Sequence, residues 1–360
     1  MSSSGAASAG GTGLPHAPIM EFYERLNKAI ALATNPPKVE VGMTPHSTVY
    51  REDRLQLFHY DTPPAFKGKE RPPVLLVYAL INRPYIMDLQ PGLSVVEDLL
   101  AKGLDVYLVD WGSPTLEDKD LTVNDYVNGY VDHCVEKVRK ISGEDKISLL
   151  GYCMGGTFTT MYTALHPERI RKLGLMAAPV AFTSTQSLLN VWAHAPGFDA
   201  WKIARTYGLV PPQFFNSAFD MLDPLRTGYE KYRALLMRLD DTEFIENFLR
   251  MEKWNLDGIP MAGPTYAEVV TNGYQKDMLV KGTWKLDGKT LHLENIRMPV
   301  ASIVGTQDTI VPAECTVRGL GYMGSKEKVH FELPSGHIGL STSRKGHREM
   351  WPAVAEWFLK

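Results

Sequence analysis

Long apolar runs are missing from the sequence, and their absence excludes a membrane-spanning helix. The longest run, Val74 to Ile81, is much shorter than the roughly 20 residues that cross a bilayer. Neither sign of charge is in excess, because the net charge is −3 and charged residues are interspersed, so nothing indicates a nucleic-acid partner. Cysteine is scarce as well. Cys134, Cys153 and Cys315 cannot all pair, so we expect a reducing, intracellular setting.

The composition is typical of a globular α/β protein. A chain of 360 residues that is 44% hydrophobic can bury a large core, but it exceeds the usual size of one compact domain, so we expect an inserted subdomain. Residues 1–16 are rich in Ser, Gly and Ala, lack the features of a signal peptide, and are predicted to be a disordered leader. Residues 17–35 place apolar side chains at helical spacing. This amphipathic helix either packs on its own domain or docks a partner chain or a hydrophobic particle.

Strand and helix patterns alternate along most of the chain. The predicted elements are a hairpin within Thr48 to Tyr60, a strand Val74 to Leu80, a helix Leu93 to Lys102, a strand Asp105 to Val109, a helix Asn124 to Ile141, a strand Ile147 to Leu150, a helix Thr157 to Leu165, and strands Leu173 to Ala177, Met298 to Gly305 and Val329 to Leu333. Such alternation predicts a doubly wound, mostly parallel sheet.

The alternation of predicted strands and helices is interrupted once, and this interruption predicts the domain organisation. Residues 36–181 and 295–360 are expected to form the two parts of the α/β core. Residues 182–294 carry few strand signals and many aromatic side chains, with one clear hairpin turn at Leu286 to Lys289. We expect this insertion to be a cap over the active site, although its aromatic residues also suit the insertion's own core.

The central motif of the sequence is Gly151-Tyr-Cys-Met-Gly155, which lies between an apolar strand and a helix. Strand, glycine-flanked turn and helix in this order predict a nucleophile elbow with Cys153 as the nucleophile. The glycines allow the strained chain to pass closely, and the helix N-terminus stabilises a thiolate. A buried structural cysteine at a glycine-rich turn is the simpler interpretation. Partners farther along the chain argue against it.

Two further polar residues follow predicted strands. Asp308 follows the strand that ends at Gly305, and His337 follows the last strand, in a loop between Gly336 and Gly339. Functional residues collect at the carboxyl ends of strands in open α/β sheets. The order nucleophile, acid, base is that of an α/β-hydrolase triad. Asp308 could instead be only a turn residue and His337 only a structural one.

The triad predicts acyl transfer through a cysteine thioester. His337, held by Asp308, takes the thiol proton, and the thiolate attacks an acyl carbonyl. The backbone N–H groups of Met154 and Ile81 are expected to bind the oxyanion. The acyl group then passes to a hydroxyl or to water. No metal and no cofactor are expected.

Several motifs together resemble one family. Gly151-Tyr-Cys-Met-Gly-Gly156, Leu80-Ile-Asn-Arg-Pro-Tyr-Ile-Met-Asp-Leu89, Val109-Asp-Trp-Gly-Ser-Pro114, Trp254 with Asp257-Gly-Ile-Pro260, and Ser335-Gly-His-Ile-Gly339 resemble the polyhydroxyalkanoate synthases. The resemblance implies an α/β-hydrolase fold with a lid. It also implies polymerisation of (R)-3-hydroxyacyl-CoA, chiefly 3-hydroxybutyryl-CoA, with CoA as the leaving group. Asn82 and Tyr85 are candidate substrate-binding residues on the same basis.

The short N-terminal segment resembles that of the two-subunit synthases of classes III and IV. This implies a second, non-catalytic subunit of the PhaE or PhaR kind, a homodimer, and a cytoplasmic location on polyester granules. One departure concerns Thr309, because many family members have His directly after the triad Asp. Two alternatives stay open: a cysteine α/β-hydrolase, such as a thioesterase or a dienelactone-hydrolase-like enzyme, and a non-enzymatic scaffold on the same fold.

Overall fold

The computed structural model describes the backbone of residues 16–360 and the side chains of residues 20–360. Contacts divide this part of the chain into two compact units. The described residues up to Val39 pack with Leu225–Met251, and Glu40–Pro224 pack with Glu252–Lys360. The leader predicted for residues 1–16 lies outside the described residues, apart from His16, where a helix begins.

The larger unit is built on one eight-stranded sheet. Its strands are β1 (His46–Glu52), β2 (Leu55–Tyr60), β3 (Pro73–Val77), β4 (Asp105–Asp110), β5 (Ile147–Tyr152), β6 (Ile170–Met176), β7 (Val300–Gly305) and β8 (Lys328–Leu333). They lie in the order β1-β2-β4-β3-β5-β6-β7-β8. β2 pairs antiparallel with both β1 and β4, and every other pairing is parallel. The predicted α/β-hydrolase fold is confirmed.

The burial of the central strands explains why their sequences are continuous apolar runs. Every residue of β3, β5 and β7 is buried, so helices cover both faces of the sheet at its centre. β1 lies at one edge and its residues are half-buried or exposed. A hairpin joins β1 to β2 at Asp53, which adopts a φ of 49°. The predicted hairpin at this sheet edge is therefore confirmed.

The helices of the larger unit connect the strands or follow them. They are α2 (Val95–Leu100), α3 (Asp132–Ser142) after a π-helical segment Asp125–Val131, α4 (Met154–Leu165), α5 (Leu188–Ala193), α6 (Ala200–Tyr207), α7 (Pro212–Asp220), α10 (Gly263–Glu268) with a π-helical continuation Val269–Gln275, α11 (Ala313–Gly321), α12 (Gly339–Thr342) and α13 (Trp351–Leu359) after a π-helical segment Gly346–Met350. Short strands Lys285–Leu286 and Lys289–Thr290 form the predicted hairpin.

Several predicted boundaries were wrong, and the starts of two helices and the end of one strand are examples. The helix predicted from Leu93 begins at Val95, because the Ser94 side chain accepts the Glu97 N–H as an N-cap. The helix predicted from Thr157 begins at Met154, directly after Cys153. β3 ends at Val77 and not at Leu80, because the chain turns away from the sheet there.

The smaller unit contains α1 (His16–Thr34), a π-helical segment Leu225–Glu230, α8 (Lys231–Met237) and the first part of α9 (Thr242–Leu256). Lys28 of α1 forms an ion pair with Asp240. Large apolar side chains of α1 are nonetheless exposed, namely Met20, Phe22, Tyr23, Leu26 and Ile30. α1 thus packs with residues 225–251 and still presents apolar surface. The predicted domain boundaries remain predictions.

Candidate active site

Cys153 lies on a strained turn between β5 and α4. Its φ of 55° and ψ of −127° are unusual for a residue with a side chain, and it is the N-cap residue of α4. The turn is held by the Cys153 N–H, which donates to the Met176 carbonyl at 2.9 Å, and by the Gly156 N–H, which donates to the Cys153 carbonyl at 2.9 Å. The strain therefore places the thiol at the positive end of the α4 dipole.

Glycines on both sides make this turn possible. A Cβ at Gly151 would lie 2.4 Å from the Gly156 Cα, and a Cβ at Gly155 would lie 2.1 Å from the Val77 carbonyl oxygen. These distances are too short for any side chain. The elbow consequently packs directly against its own helix and against the end of β3.

His337 and Asp308 meet Cys153 at the carboxyl ends of neighbouring strands. The His337 Nδ1–H donates to Asp308 Oδ2 at 2.6 Å, and Cys153 lies near enough to His337 to influence the pKa of the imidazole. The other Asp308 oxygen accepts the N–H groups of Ile310 and Val311, both at 2.9 Å. The three side chains predicted from the sequence therefore lie together, with His337 bonded to Asp308 and close to Cys153.

The charge state of His337 follows from this environment. Burial by itself would lower the pKa of His337, but the charge of Asp308, the charge of the Cys153 thiolate and the hydrogen bonds to both raise it to about 10. A charged imidazolium is thus favoured at His337. Burial raises the pKa of the Cys315 thiol to about 12, so that cysteine stays protonated.

Cys153 opens into an apolar cavity of about 170 Å³. The wall of the cavity is almost wholly aliphatic and aromatic and consists of Ile81, Cys153, Met154, Thr157, Pro179, Phe182, Leu189, Trp192, Ala193, Phe198, Phe214, Phe215, Ala218, Phe219, Met261, Tyr266, Val269, Val270, Tyr274, Ile310 and Val311. Most of these residues come from the region between 182 and 274. A cavity of this kind suits a short acyl chain and excludes water.

The other sequence-predicted residues divide into two groups. Met154 and Ile81, the expected oxyanion donors, both lie on the cavity wall beside Cys153. Asn82 and Tyr85 are not part of that wall. The Asn82 side chain accepts the Arg83 N–H at 2.9 Å, and the Tyr85 hydroxyl donates to Asp257 at 2.7 Å. The structure does not bring these two residues to the thiol.

Two tyrosines near the site were missed by the sequence reasoning. The Tyr152 hydroxyl donates to the His337 carbonyl at 2.8 Å, which fixes the histidine loop. Its position next to Cys153 in the elbow was an available signal. Tyr274 lies on the cavity wall, and burial raises its pKa above the usual value, with the charge of Cys153 as a further cause. No motif marks Tyr274 in the sequence.

Among the side chains of residues 20–360, no cluster of three or more His, Cys, Asp and Glu could hold a metal ion. Across the same range, none of the helices combines the length and the apolarity that crossing a membrane requires.

The fold and this site define a protein of the α/β-hydrolase class with cysteine at the nucleophile position. A family model described as the alpha/beta hydrolase fold matches residues 72–342. A solved monoacylglycerol lipase from Paleococcus ferrophilus superposes with a TM-score of 0.55 at 20% identity, over 85% of this chain and 98% of the lipase. This likeness bears on the fold alone.

Sequence comparison narrows the class to one family. A model of the poly-beta-hydroxybutyrate polymerase (PhaC) N-terminus matches residues 31–99. The poly(3-hydroxyalkanoate) polymerase subunit PhaC of Haloferax mediterranei is 43% identical over 94% of this chain and 69% of that protein. The subunit PhaC of Allochromatium vinosum is 38% identical over 94% of this chain and 95% of that protein. The chain belongs to the poly(3-hydroxyalkanoate) polymerase PhaC family.

Proposed function

We propose that the protein polymerises (R)-3-hydroxyacyl-CoA, chiefly 3-hydroxybutyryl-CoA, into polyester and releases CoA. The observation that carries the proposal is the hydrogen-bonded pair His337 and Asp308 next to Cys153, which lines an apolar cavity, in a chain of the PhaC family. The reaction is an acyl transfer and needs no metal or cofactor. CoA is the leaving group of the substrate.

The first half of the reaction loads the thiol. His337 accepts the proton of the Cys153 thiol, and the sulfur attacks the carbonyl carbon of the acyl-CoA thioester. The oxyanion that forms is stabilised by the backbone N–H groups of Met154 and Ile81. The bond between the carbonyl carbon and the CoA sulfur then breaks, and CoA leaves with the proton from His337. The acyl group remains on Cys153 as a thioester.

The second half extends the chain. The hydroxyl of a second 3-hydroxyacyl unit gives its proton to His337, and its oxygen attacks the Cys153 thioester. An ester bond forms and the thiolate is released. Asp308 holds the imidazole and stabilises its charged form throughout. The apolar wall of the cavity favours the hydroxyl over water, because water has few partners there.

We further propose that the protein acts with a second, non-catalytic subunit, as a homodimer, on the surface of cytoplasmic polyester granules. The relatives from Haloferax mediterranei and Allochromatium vinosum are named as polymerase subunits, which supports the first point. The exposed apolar side chains of α1 offer a surface for such contacts. Thr309 follows Asp308 directly, so no role is assigned to a histidine at that position.

The test follows CoA release and product identity in one reaction with (R)-3-hydroxybutyryl-CoA. Insoluble polyester from the wild-type chain, with release increasing on addition of the second subunit, is the expected result. Cys153→Ala is expected to release no CoA and to keep its fold by circular dichroism, and Cys153→Ser to lose most activity. Cys134→Ala is the control, because Cys134 is fully buried away from the cavity.

Other outcomes decide between the alternatives. Free 3-hydroxybutyrate as the sole product would assign the protein to the thioesterases. A Cys153 thiol that reacts with iodoacetamide no faster than Cys134 or Cys315 would support the non-enzymatic scaffold. CoA release by Cys153→Ala that approaches the wild-type rate would overturn the thioester mechanism.

A further inference from the structure

The loop that follows β3 is fixed by hydrogen bonds to its carbonyl groups. We call residues 78–83 the β3 loop. The Tyr78 carbonyl accepts the Trp111 indole N–H at 2.9 Å, the Ile81 carbonyl accepts the Ile259 N–H at 3.1 Å, and the Arg83 carbonyl accepts the Trp254 indole N–H at 2.9 Å. All three donors belong to buried residues. The loop is thus held at both ends and near its middle.

These bonds come from parts of the chain that are far apart in sequence. Trp111 follows β4, whereas Trp254 lies in the last turn of α9 and Ile259 lies between α9 and α10. They belong to the Asp110-Trp-Gly112 and Trp254 to Pro260 motifs that stood out in the sequence and that the proposed chemistry does not use. An indole has one N–H donor, and when buried it requires a partner. Here the partners are carbonyl groups of one loop.

A second set of contacts joins Tyr85, just after the β3 loop, to the segment that contains Lys253 and Asp257. The Tyr85 hydroxyl donates to Asp257 Oδ2 at 2.7 Å, and Lys253 forms an ion pair with the same oxygen at 2.5 Å. On the other side, a Cβ at Gly155 would lie 2.7 Å from the Tyr78 carbonyl oxygen. The β3 loop therefore lies between the nucleophile elbow and the segment Lys253 to Ile259.

We propose that Trp254 is a positioning residue that holds the β3 loop so that the Ile81 N–H meets the oxyanion. The proposal rests on the proposed function, because it needs an acyl transfer at Cys153. Hydrogen bonds fix the carbonyl groups of Tyr78, Ile81 and Arg83. The peptide groups between these residues therefore have little freedom to rotate. A donor that is fixed before the reaction costs no reorganisation when the charge develops. Tyr85 also helps to hold the β3 loop in place, through its hydrogen bond to Asp257.

The test separates two reactions of the same thiol. Acylation by 3-hydroxybutyryl-CoA forms a tetrahedral oxyanion, whereas alkylation by iodoacetamide does not. Trp254→Phe keeps an aromatic ring, removes the N–H donor and makes the side chain smaller. We expect first-turnover CoA release to fall about tenfold or more, toward the 10²–10³ that loss of an oxyanion donor costs. We expect the rate of Cys153 alkylation and the melting temperature to stay close to wild type.

The control is Trp201→Phe, because Trp201 is 38% exposed on α6 and lies outside the cavity wall. It should leave both rates unchanged. Should Trp254→Phe fail to fold, Asp257→Asn tests the second attachment of the segment Lys253 to Ile259, which is made through Tyr85; we expect a smaller fall in acylation and again no change in alkylation.

Each remaining outcome is decisive. Unchanged acylation in a folded Trp254→Phe overturns the positioning role. An equal fall in acylation and alkylation means that the elbow itself moved, and this also overturns it. Failure of the proposed function is recognised separately, because the wild-type chain would then release no CoA or Cys153→Ala would release it normally.

Discussion

The His337 Nδ1 atom lies 2.6 Å from Asp308 Oδ2, and the exposed fractions of the two side chains are 6% and 0%. A hydrogen bond between a charged donor and a charged acceptor is strong when water is excluded. Asp308 has little freedom to leave, because its other oxygen accepts the N–H groups of Ile310 and Val311. The pair is therefore a rigid unit that sets both the orientation and the charge of the imidazole.

Asp308→Asn should lower the pKa of His337. The variant removes the largest cause that raises this pKa, and burial, which lowers it, is then opposed only by Cys153. Activity should fall by roughly 10²–10⁴, because the imidazolium loses its stabilising charge. The measurement is the NMR titration of the His337 ring protons together with CoA release. Asp120→Asn is the matched control, since it makes the same charge change at an exposed position.

The pair of His337 and Asp308 also makes the free energy of unfolding depend on pH. The pKa of His337 is higher in the folded protein than in the unfolded chain. The contribution is therefore complete below about pH 6.5 and is lost as pH rises through the folded pKa. Chemical unfolding of wild type and Asp308→Asn across pH 6–10 measures it. A stability difference that grows with pH in this interval would contradict the assigned charge state.

Much of the fold and of the candidate site could be predicted from the sequence because the relevant signals are local. The buried strands are continuous apolar runs, and the elbow glycines are demanded by contacts within one turn. Asp308 and His337 could be placed because parallel strands bring their carboxyl ends to one edge. Each of these signals depends on a few neighbouring residues.

The remaining features depend on contacts that no local pattern encodes. Tyr274 reaches the cavity wall from a helical segment without a motif. Trp254 stood out as part of a motif, but its bond to the Arg83 carbonyl joins residues 171 positions apart. The packing of residues 225–251 with the described N-terminal residues was not predicted either. Long-range packing of this kind follows from the tertiary structure, not from periodicity.

Gly155→Ala should disrupt the site even though it adds one methyl group. The new Cβ would lie 2.1 Å from the Val77 carbonyl oxygen, and backbone atoms cannot move aside as a flexible side chain can. We expect the free energy of unfolding to fall by about 1–3 kcal/mol, as in overpacked cores, and CoA release to be lost. Denaturant unfolding and the CoA assay measure the two effects.

Gly129→Ala is the control for that change, because no heavy atom within 4 Å would meet a Cβ at Gly129, within the π-helical segment Asp125–Val131. It should leave activity intact and the free energy of unfolding unchanged or higher by up to about 1 kcal/mol. If Gly155→Ala were as well tolerated as Gly129→Ala, the close packing of the elbow on β3 would not be required for function.

Trp192→Ala should change the product more than the rate. Trp192 lies on the cavity wall and is half-buried, so its indole separates the cavity from solvent. Its removal admits water to the Cys153 thioester, and water then competes with the hydroxyl of the next monomer. We expect CoA release within about threefold of wild type, while the share of acyl groups recovered as free 3-hydroxybutyrate rises several-fold. Chromatography of the soluble acid and the weight of polymer measure this share.

Trp201→Ala removes an equal side chain outside the cavity wall and should leave the product as polyester. The comparison is informative because both variants lose the same volume and differ only in what the indole separates. Unchanged polymer yield with Trp192→Ala would mean that selectivity for the hydroxyl lies with the polar groups around Cys153 and not with the apolar wall. Equal acid release by the two variants would point to general loosening of the helices over the cavity, which proteolysis would reveal in both.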